Sequence, residues 1–479
     1  MIALAVWALH LYVRWLPPTP APIPEPTDAE AAWWGLWPAT YAPTWFVVTT
    51  TVVLLGGIGA LWLLPWAADE CRQTPAQDAP MASTTVMILL ASLGLLLGWA
   101  FLTFPIVHTR WGDAYLISKA MAWPDPTLRL THSWQAPLDV FLHSQLWLFL
   151  HERFQWQDAM PVYRVLSPLA GILYLSVALT LSRKQWLGPA WLTFGSLTTL
   201  GLMQLFFGYI ENYSFAAAGI LLYLWLGLAA LRHRAPLWVA ALALAVTNAT
   251  HPSTVVLAPS LLYIGWQLAK PADPYAATPQ SRGYSWRTAA MQIGIPVVAT
   301  AMATVLLMEA GGHGIHALLT DDRPGGGDAR WLVPLFGTST RWEYYTMFSW
   351  GHLRDFLNEQ MLVAPVMLPA LLWIGIGSIR HRWRDGENAQ SAGDFSFLAI
   401  AATCYFGFTW LWNPDYGGQR DWDLFSLAAI PAALLFGERL TKVLGEKRYL
   451  LIGALPLLAV QAAHTLMWVY QNTLPWEWP

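Results

Sequence analysis

Charge is scarce in this sequence. Only 11% of its 479 residues are Asp, Glu, Lys or Arg, against roughly 25% in soluble domains. That shortage excludes an ordinary soluble globular protein. Cysteine is scarcer still, with Cys71 and Cys404 the only two. Both lie in or beside apolar runs and neither belongs to a CxxC pair, so neither a disulfide framework nor a zinc site is implied. A basic excess is missing too. The net charge is −3, which excludes the broad positive face that nucleic-acid binding uses. Segments of about ten residues with alternating polarity, the mark of a membrane β-barrel, are absent. So is any internal repeat of the kind that builds many transporters.

What the chain has instead is apolar length. Hydrophobic residues make up 56% of it, in runs near the length a membrane crossing needs. The expected fold class is therefore all-α, a polytopic transmembrane helical bundle. Apolar runs fall at 2–16, 44–66, 84–107, 162–182, 186–207, 213–231, 235–250, 253–269, 289–309, 357–379, 395–412, 424–437 and 449–470. Counted singly, they predict about thirteen spans. The first run is short and carries Arg14 near its end. Thr19-Pro20-Ala21 has the small residues of a cleavage site, yet no basic n-region precedes the run and proline is dense from Pro17 to Pro26. A short first span, a signal anchor, is the better reading. Tryptophan favours membrane interfaces, and proline within a span frees carbonyls that neighbours must satisfy.

Lys and Arg orient such a bundle. They cluster at Arg183-Lys184, at Arg232 and Arg234, at Lys270 with Arg282 and Arg287, from Arg380 to Arg384, and at Lys442 with Lys447-Arg448. All can be cytoplasmic together if 108–161 contains no full crossing. Pro137–Leu150, interrupted by Asp139, His143 and Gln145, suits an interfacial helix. The chain then reads as one integral membrane domain, 1–479, with an inside N-terminus and an outside C-terminus. Its outer parts are a loop with interfacial helices at 108–161, a flexible loop at 310–356 and a charged turn at 413–423.

That turn, Asn413-Pro414-Asp415-Tyr416-Gly417-Gly418-Gln419-Arg420-Asp421-Trp422-Asp423, lies between two apolar runs. Charge at a membrane edge is costly unless it faces a cavity, a partner or water, so such a cluster is a functional-site hypothesis. The competing reading is an interfacial salt bridge that closes a turn. Asp113 follows a span and opens an amphipathic stretch. It suits a general base or a helix N-cap. Glu211, in the tight turn Gly208–Tyr213, can hold a metal, bond a sugar hydroxyl or pair with Arg164. His251 sits at a helix boundary, where a capping role is the commoner one. His352, Asp355 and Asn358 recur every three residues, so on a helix they follow one side, expected to face the cavity of Arg420 and Asp423. His313, His316, Asp321 and Asp322 offer donors for a divalent cation, but their spacing matches no metal motif. Metal and cofactor stay open on this evidence. Gly325-Gly326-Gly327 predicts a mobile loop able to order over substrate.

Several of these positions together resemble the GT-C superfamily of membrane glycosyltransferases, which includes protein O-mannosyltransferases, lipid A aminoarabinose transferases and the catalytic oligosaccharyltransferase subunit. The likeness covers roughly residues 100–270. Its residues are Asp113 with Tyr115 and Ala120, then Gln135-Ala136-Pro137-Leu138, then Tyr163-Arg164-Val165-Leu166-Ser167-Pro168-Leu169-Ala170-Gly171, and finally Glu211. The paired acids frequent in that family's first loop are here reduced to Asp113, and the Arg420–Asp423 cluster matches no named member. The resemblance implies sugar transfer, with inversion, from a polyprenyl-phosphate-type lipid donor to an acceptor on the non-cytoplasmic face. It implies a cell-envelope protein of a bacterial inner membrane, with lipid-linked donor and membrane lipids as partners. Asp113 would be the base. Independently, a lipid-phosphate leaving group calls for a guanidinium at the membrane edge. Arg420 lies at that depth, with Arg164 and Arg110 as alternatives and Asp421 or Asp423 expected to hold Arg420 in place. Trp111, Trp350 and Trp422 can stack on sugar faces or anchor at the interface. Two other functions fit the same charges: a transporter or flippase of a lipid-linked or polar substrate, and a non-catalytic subunit of a membrane complex.

Overall fold

Hydrocarbon offers a backbone N–H or C=O no partner outside its own helix, and the apolar runs fold accordingly. A computed structural model describes residues 1–16, 29–63, 81–270, 284–320, 330–340, 343–380 and 389–475. Among these residues the chain is helical between irregular connections. The β structure among them is an isolated antiparallel bridge between Leu332 and Trp412. The protein is an all-α membrane protein. Sequence readings that fall on Cys71, Arg282, Asp321 to Gly327, and Arg382 to Arg384 lie outside the described residues.

Among the described residues, eight helices are long and apolar enough to cross a membrane. They are Thr44–Leu63, Thr84–Thr103, Met160–Lys184, Ser214–Leu231, Trp286–Ala310, Gln390–Leu411, Trp422–Leu444 and Lys447–Asn472. A ninth is added if Trp350–Val363 and Met367–Ile376, bent by 107° at a short break, count as one. The expected thirteen took every apolar run as a crossing, and several of those runs fold as shorter pieces. Pro189 precedes Ala190–Thr198, only 9 residues long and followed by a 3-10 stretch, Gly201–Phe206. Pro236 precedes the 14-residue helix Leu237–Thr250. Pro252 opens another 3-10 stretch, leaving Ala258–Ala269 as the helical part of its run. Ala364 precedes Pro365 and is driven out of the helical region, to φ −158° and ψ 68°. The clash of a proline ring with the residue before it explains that break.

Helices that are apolar all round belong either in a protein core or against lipid, and both kinds occur here. Trp422–Leu444 and Ser214–Leu231 are enclosed by other helices, whereas Thr44–Leu63, Thr84–Thr103 and Trp286–Ala310 turn most of their surface outward. The first helix, Ile2–Arg14, is built into the bundle. His10 Nε2 meets His464 Nδ1 at 2.9 Å, and His464 Nε2 bonds the Leu362 carbonyl at 2.8 Å. Arg14 donates to Thr44 Oγ1 and to the Ala39 carbonyl, each at 3.0 Å.

The bundle has two chemically distinct ends. At one, Arg232 pairs with Asp394, and Glu438 takes both Arg439 and Lys442. At the other, the chain leaving Thr84–Thr103 meets the chain entering Ser214–Leu231, through Ile106 N–H to Phe207 O at 2.8 Å. Trp111 Nε1 donates to Asn472 at 2.7 Å, tying the same strand of chain to the last helix. The stretch 108–161 supplies the short helix Ala114–Met121 and the longer Pro137–Phe154. The latter is not among the candidate spans.

Candidate functional site

Three turns meet at the second end: 111–113, 208–213 and 413–423. Gly112 N–H donates to the Arg420 carbonyl at 2.9 Å, and Arg420 Nη2 returns to the Gly112 carbonyl at 3.4 Å. Gly112 has φ +49°, and a Cβ there would stand 2.5 Å from Glu211 Oε1. A left-handed backbone with no room for a side chain requires glycine. The closeness lets Glu211 accept the Asp113 backbone N–H. Asp113 occupies the N-cap position of Ala114–Met121, but its side chain makes no capping bond. Its Oδ1 instead accepts from the Tyr416 hydroxyl at 2.7 Å. Asp423 accepts from Tyr209 Oη at 3.0 Å and from Leu424 N–H at 2.9 Å. Asp421 accepts the Tyr416 N–H at 2.8 Å. Asp113, Glu211, Arg420, Asp421 and Asp423 are thereby gathered in one place.

Burial sets the electrostatics. Glu211 is 5% exposed. Loss of water, then the nearby Asp423 and Asp113 carboxylates, push its carboxyl well above the usual range. Asp421 is raised in the same way by burial, against the pull of the Tyr416 N–H. Burial also lifts the Tyr416 phenol, with Asp113 adding to it. Arg110 is enclosed, its guanidinium 4.9 Å from the Trp37 ring and 4.4 Å from the Trp111 ring. Burial, opposed by Tyr41 and helped by the Arg420 cation, brings it down to about 9.

Arg420 differs from the expectation in its partners. Its guanidinium lies 4.8 Å over the Tyr416 ring and gives Nη2 to Gly112, while its Nε is buried without a hydrogen-bond partner. Asp421 and Asp423 do not hold it: backbone amides and Tyr209 take their oxygens. Arg164 does not pair with Glu211. It donates to the Ile106 carbonyl at 3.3 Å and packs on Gly208. His251 caps the 3-10 stretch after it, bonding Ser253 Oγ at 2.8 Å, and its ring leans on Tyr213 at 4.5 Å. His352 is enclosed by aromatic rings, 4.9 Å from Tyr345 and 4.2 Å from Trp410, with Nδ1 on the Met347 carbonyl. The stripe it begins is split. Asp355 accepts from Trp34 Nε1 at 3.0 Å and abuts Gly418 of the charged turn. Asn358 instead bonds the backbone of Gly35 and Ala32.

Two contributors escaped the sequence reading. Tyr416 lay inside the charged turn, but nothing in its spacing pointed to Asp113, 303 residues away. Glu359 is 2% exposed, with both carboxylate oxygens lacking a hydrogen-bond partner, and it faces Asp423, Asp355 and Asp421. A glutamate inside an apolar run, four residues after Asp355, was the available signal. Among the described residues, no three His, Cys, Asp or Glu side chains are placed to hold a metal ion.

Fold and site together define a polytopic helical membrane protein with a buried carboxylate cluster and an under-bonded guanidinium at one end. The chain is similar to the crystal structure of ArnT from Cupriavidus metallidurans bound to undecaprenyl phosphate, with a TM-score of 0.47 at 14% identity, over 82% of this chain and 77% of that one. The apo state of that ArnT gives 0.46 at 15% identity, over 81% and 76%. The oligosaccharyltransferase of Archaeoglobus fulgidus, tethered with an acceptor peptide containing the NVT sequon, gives 0.42 at 11%, over 82% of this chain and 55% of that one. No family model and no curated protein matches the sequence.

Proposed function

We propose that this protein is a GT-C-type membrane glycosyltransferase that moves a sugar from a polyprenyl-phosphate-type lipid donor to an acceptor. One observation carries the reading. Tyr416 lies between the Asp113 carboxylate, which accepts its hydroxyl, and the under-bonded Arg420 guanidinium, which lies over its ring, while Gly112 pairs with Arg420 along the chain, at the end of several crossing helices. An inverting transfer needs that pair. Asp113 takes the proton of the acceptor hydroxyl as its oxygen bonds the anomeric carbon. The bond from that carbon to the phosphate oxygen breaks on the opposite face, and the released phosphate takes the electron pair. Arg420 balances that charge through the donors left free by its present bonding. Tyr416 orients Asp113, and Glu211 fixes its backbone.

The test measures turnover and donor binding on the same preparations. Asp113→Asn should abolish turnover, since a general base contributes about 10²–10⁴-fold, and leave donor binding nearly intact. Arg420→Ala should weaken donor binding by roughly ten- to a hundred-fold, the equivalent of about 1.5–3 kcal/mol for one charge-assisted contact. Arg420→Lys should restore only part of it, because an ammonium lacks the bidentate fork. Full activity in Asp113→Asn removes the base. If Arg420→Ala lowers the melting temperature and leaves donor affinity unchanged, the cluster merely closes a turn.

A further inference from the structure

The segment 331–336 shows large apolar side chains at a definite depth. Its backbone is paired to the end of a crossing helix: Val333 N–H donates to the Leu411 carbonyl at 2.9 Å, and Asn413 N–H to the Trp331 carbonyl at 3.0 Å. Leu411 is the last residue of that helix, so the segment lies level with its end. Val333 is buried, whereas Trp331 is 43% exposed, Leu332 60%, Leu335 55% and Phe336 88%. Phe348 and Trp350 are also bare, at 73% and 71%.

Polar groups lie just beyond them. Ser339 Oγ donates to Glu343 at 2.8 Å, and Arg330 Nη1 donates to Thr340 at 2.7 Å. The Trp331 carbonyl taken by Asn413 N–H joins the segment to the start of the charged turn, and farther along the chain Tyr344 Oη reaches the Asp415 carbonyl at 3.5 Å with its ring against Gly417. A bare apolar row level with a helix end, backed by a self-bonded polar tip, has the polarity profile of the lipid boundary.

We propose that 331–336, with Phe348 and Trp350, is seated in the headgroup–acyl boundary of the leaflet at the site's end, with phospholipid as its partner. The segment then lies between lipid and the start of the 413–423 turn, where Asn413 bonds the Trp331 carbonyl. This inference rests on the membrane fold and not on the proposed chemistry, so its failure leaves that reading standing.

The experiment uses the full chain with Cys71→Ser and Cys404→Ser, in nanodiscs of phosphatidylethanolamine and phosphatidylglycerol. Nitroxide is attached singly at Leu332→Cys, Phe336→Cys, Ser339→Cys and Leu95→Cys, the last on the outward flank of a crossing helix. Accessibility to oxygen and to a water-soluble nickel chelate is read by power saturation. Labels at 332 and 336 should fall between the other two, more open to oxygen and less open to nickel than 339, and less open to oxygen than 95 at mid-span. Nickel access at 332 and 336 equal to that at 339 overturns the proposal. Shielding of both positions from both reagents also overturns it, because a protein would then cover the face.

Discussion

Glu211 gives the residue scale its sharpest consequence. Its carboxyl is raised by burial and by two neighbouring carboxylates, so the folded protein favours the protonated form. A raised carboxyl contributes stability that is complete below the unfolded value, about 4.3. That contribution is lost as pH climbs through the folded value. Glu211→Gln should therefore flatten the fall of melting temperature as pH rises above about 4.3 and leave the variant more stable than the parent at the alkaline end. A parallel fall in both proteins would mean that Glu211 is not the titrating group. Its charge beside an apolar run was legible in the sequence, as were those of Asp113 and Arg420. Their partners were not. Asp421 and Asp423 sit one and three positions after Arg420, and proximity along the chain suggested an ion pair. In the fold, the Tyr416 N–H and the Tyr209 hydroxyl take those oxygens. Hydrogen-bond choice depends on tertiary placement, which spacing alone does not encode.

At the scale of elements, the decisive pieces are turns and breaks rather than helices. Apolar length marked where helices would lie, and the long ones are where the runs predicted them. Apolar length does not show where a helix stops. Pro365 splits the 357–379 run into a sharply bent pair, a break that hydropathy alone left out, whereas Pro189, Pro236 and Pro252 stand where shorter helical pieces begin. The turn at Gly112 matters most to the site. It is left-handed, and its missing Cβ makes room for Glu211. Gly112→Ala should cost about 1–2 kcal/mol from the backbone alone and should displace Glu211 from the Asp113 N–H. Turnover should then fall more than the melting temperature suggests, because Asp113 loses its backbone anchor while keeping its carboxylate. Thermal melts and initial rates on the same variant check this. Equal rates at lower stability would reduce the glycine to a packing role.

At the scale of the whole molecule, charge is sorted by end. Arg232 with Asp394, and Glu438 with Arg439 and Lys442, occupy the end opposite the three turns. Ser214–Leu231 begins beside Tyr213 at the site and finishes next to Arg232. Ala429–Leu444 likewise runs from the charged turn to Lys442. Each such helix carries its bases at the far end, the bias that fixes cytoplasmic loops. We therefore expect the 413–423 turn to face outward. Single cysteines test it in intact cells, on the background without Cys71 and Cys404. Asp415→Cys, exposed in the turn, should react with a membrane-impermeant maleimide added outside. Arg234→Cys, exposed at the basic end, should react only after the membrane is opened. Reversed labelling would move the site to the cytoplasmic face, leaving its chemistry intact but changing which acceptors can reach it. Labelling of both positions from one side would break the two-ended architecture itself, since Ser214–Leu231 and Ala429–Leu444 would then fail to carry the chain across.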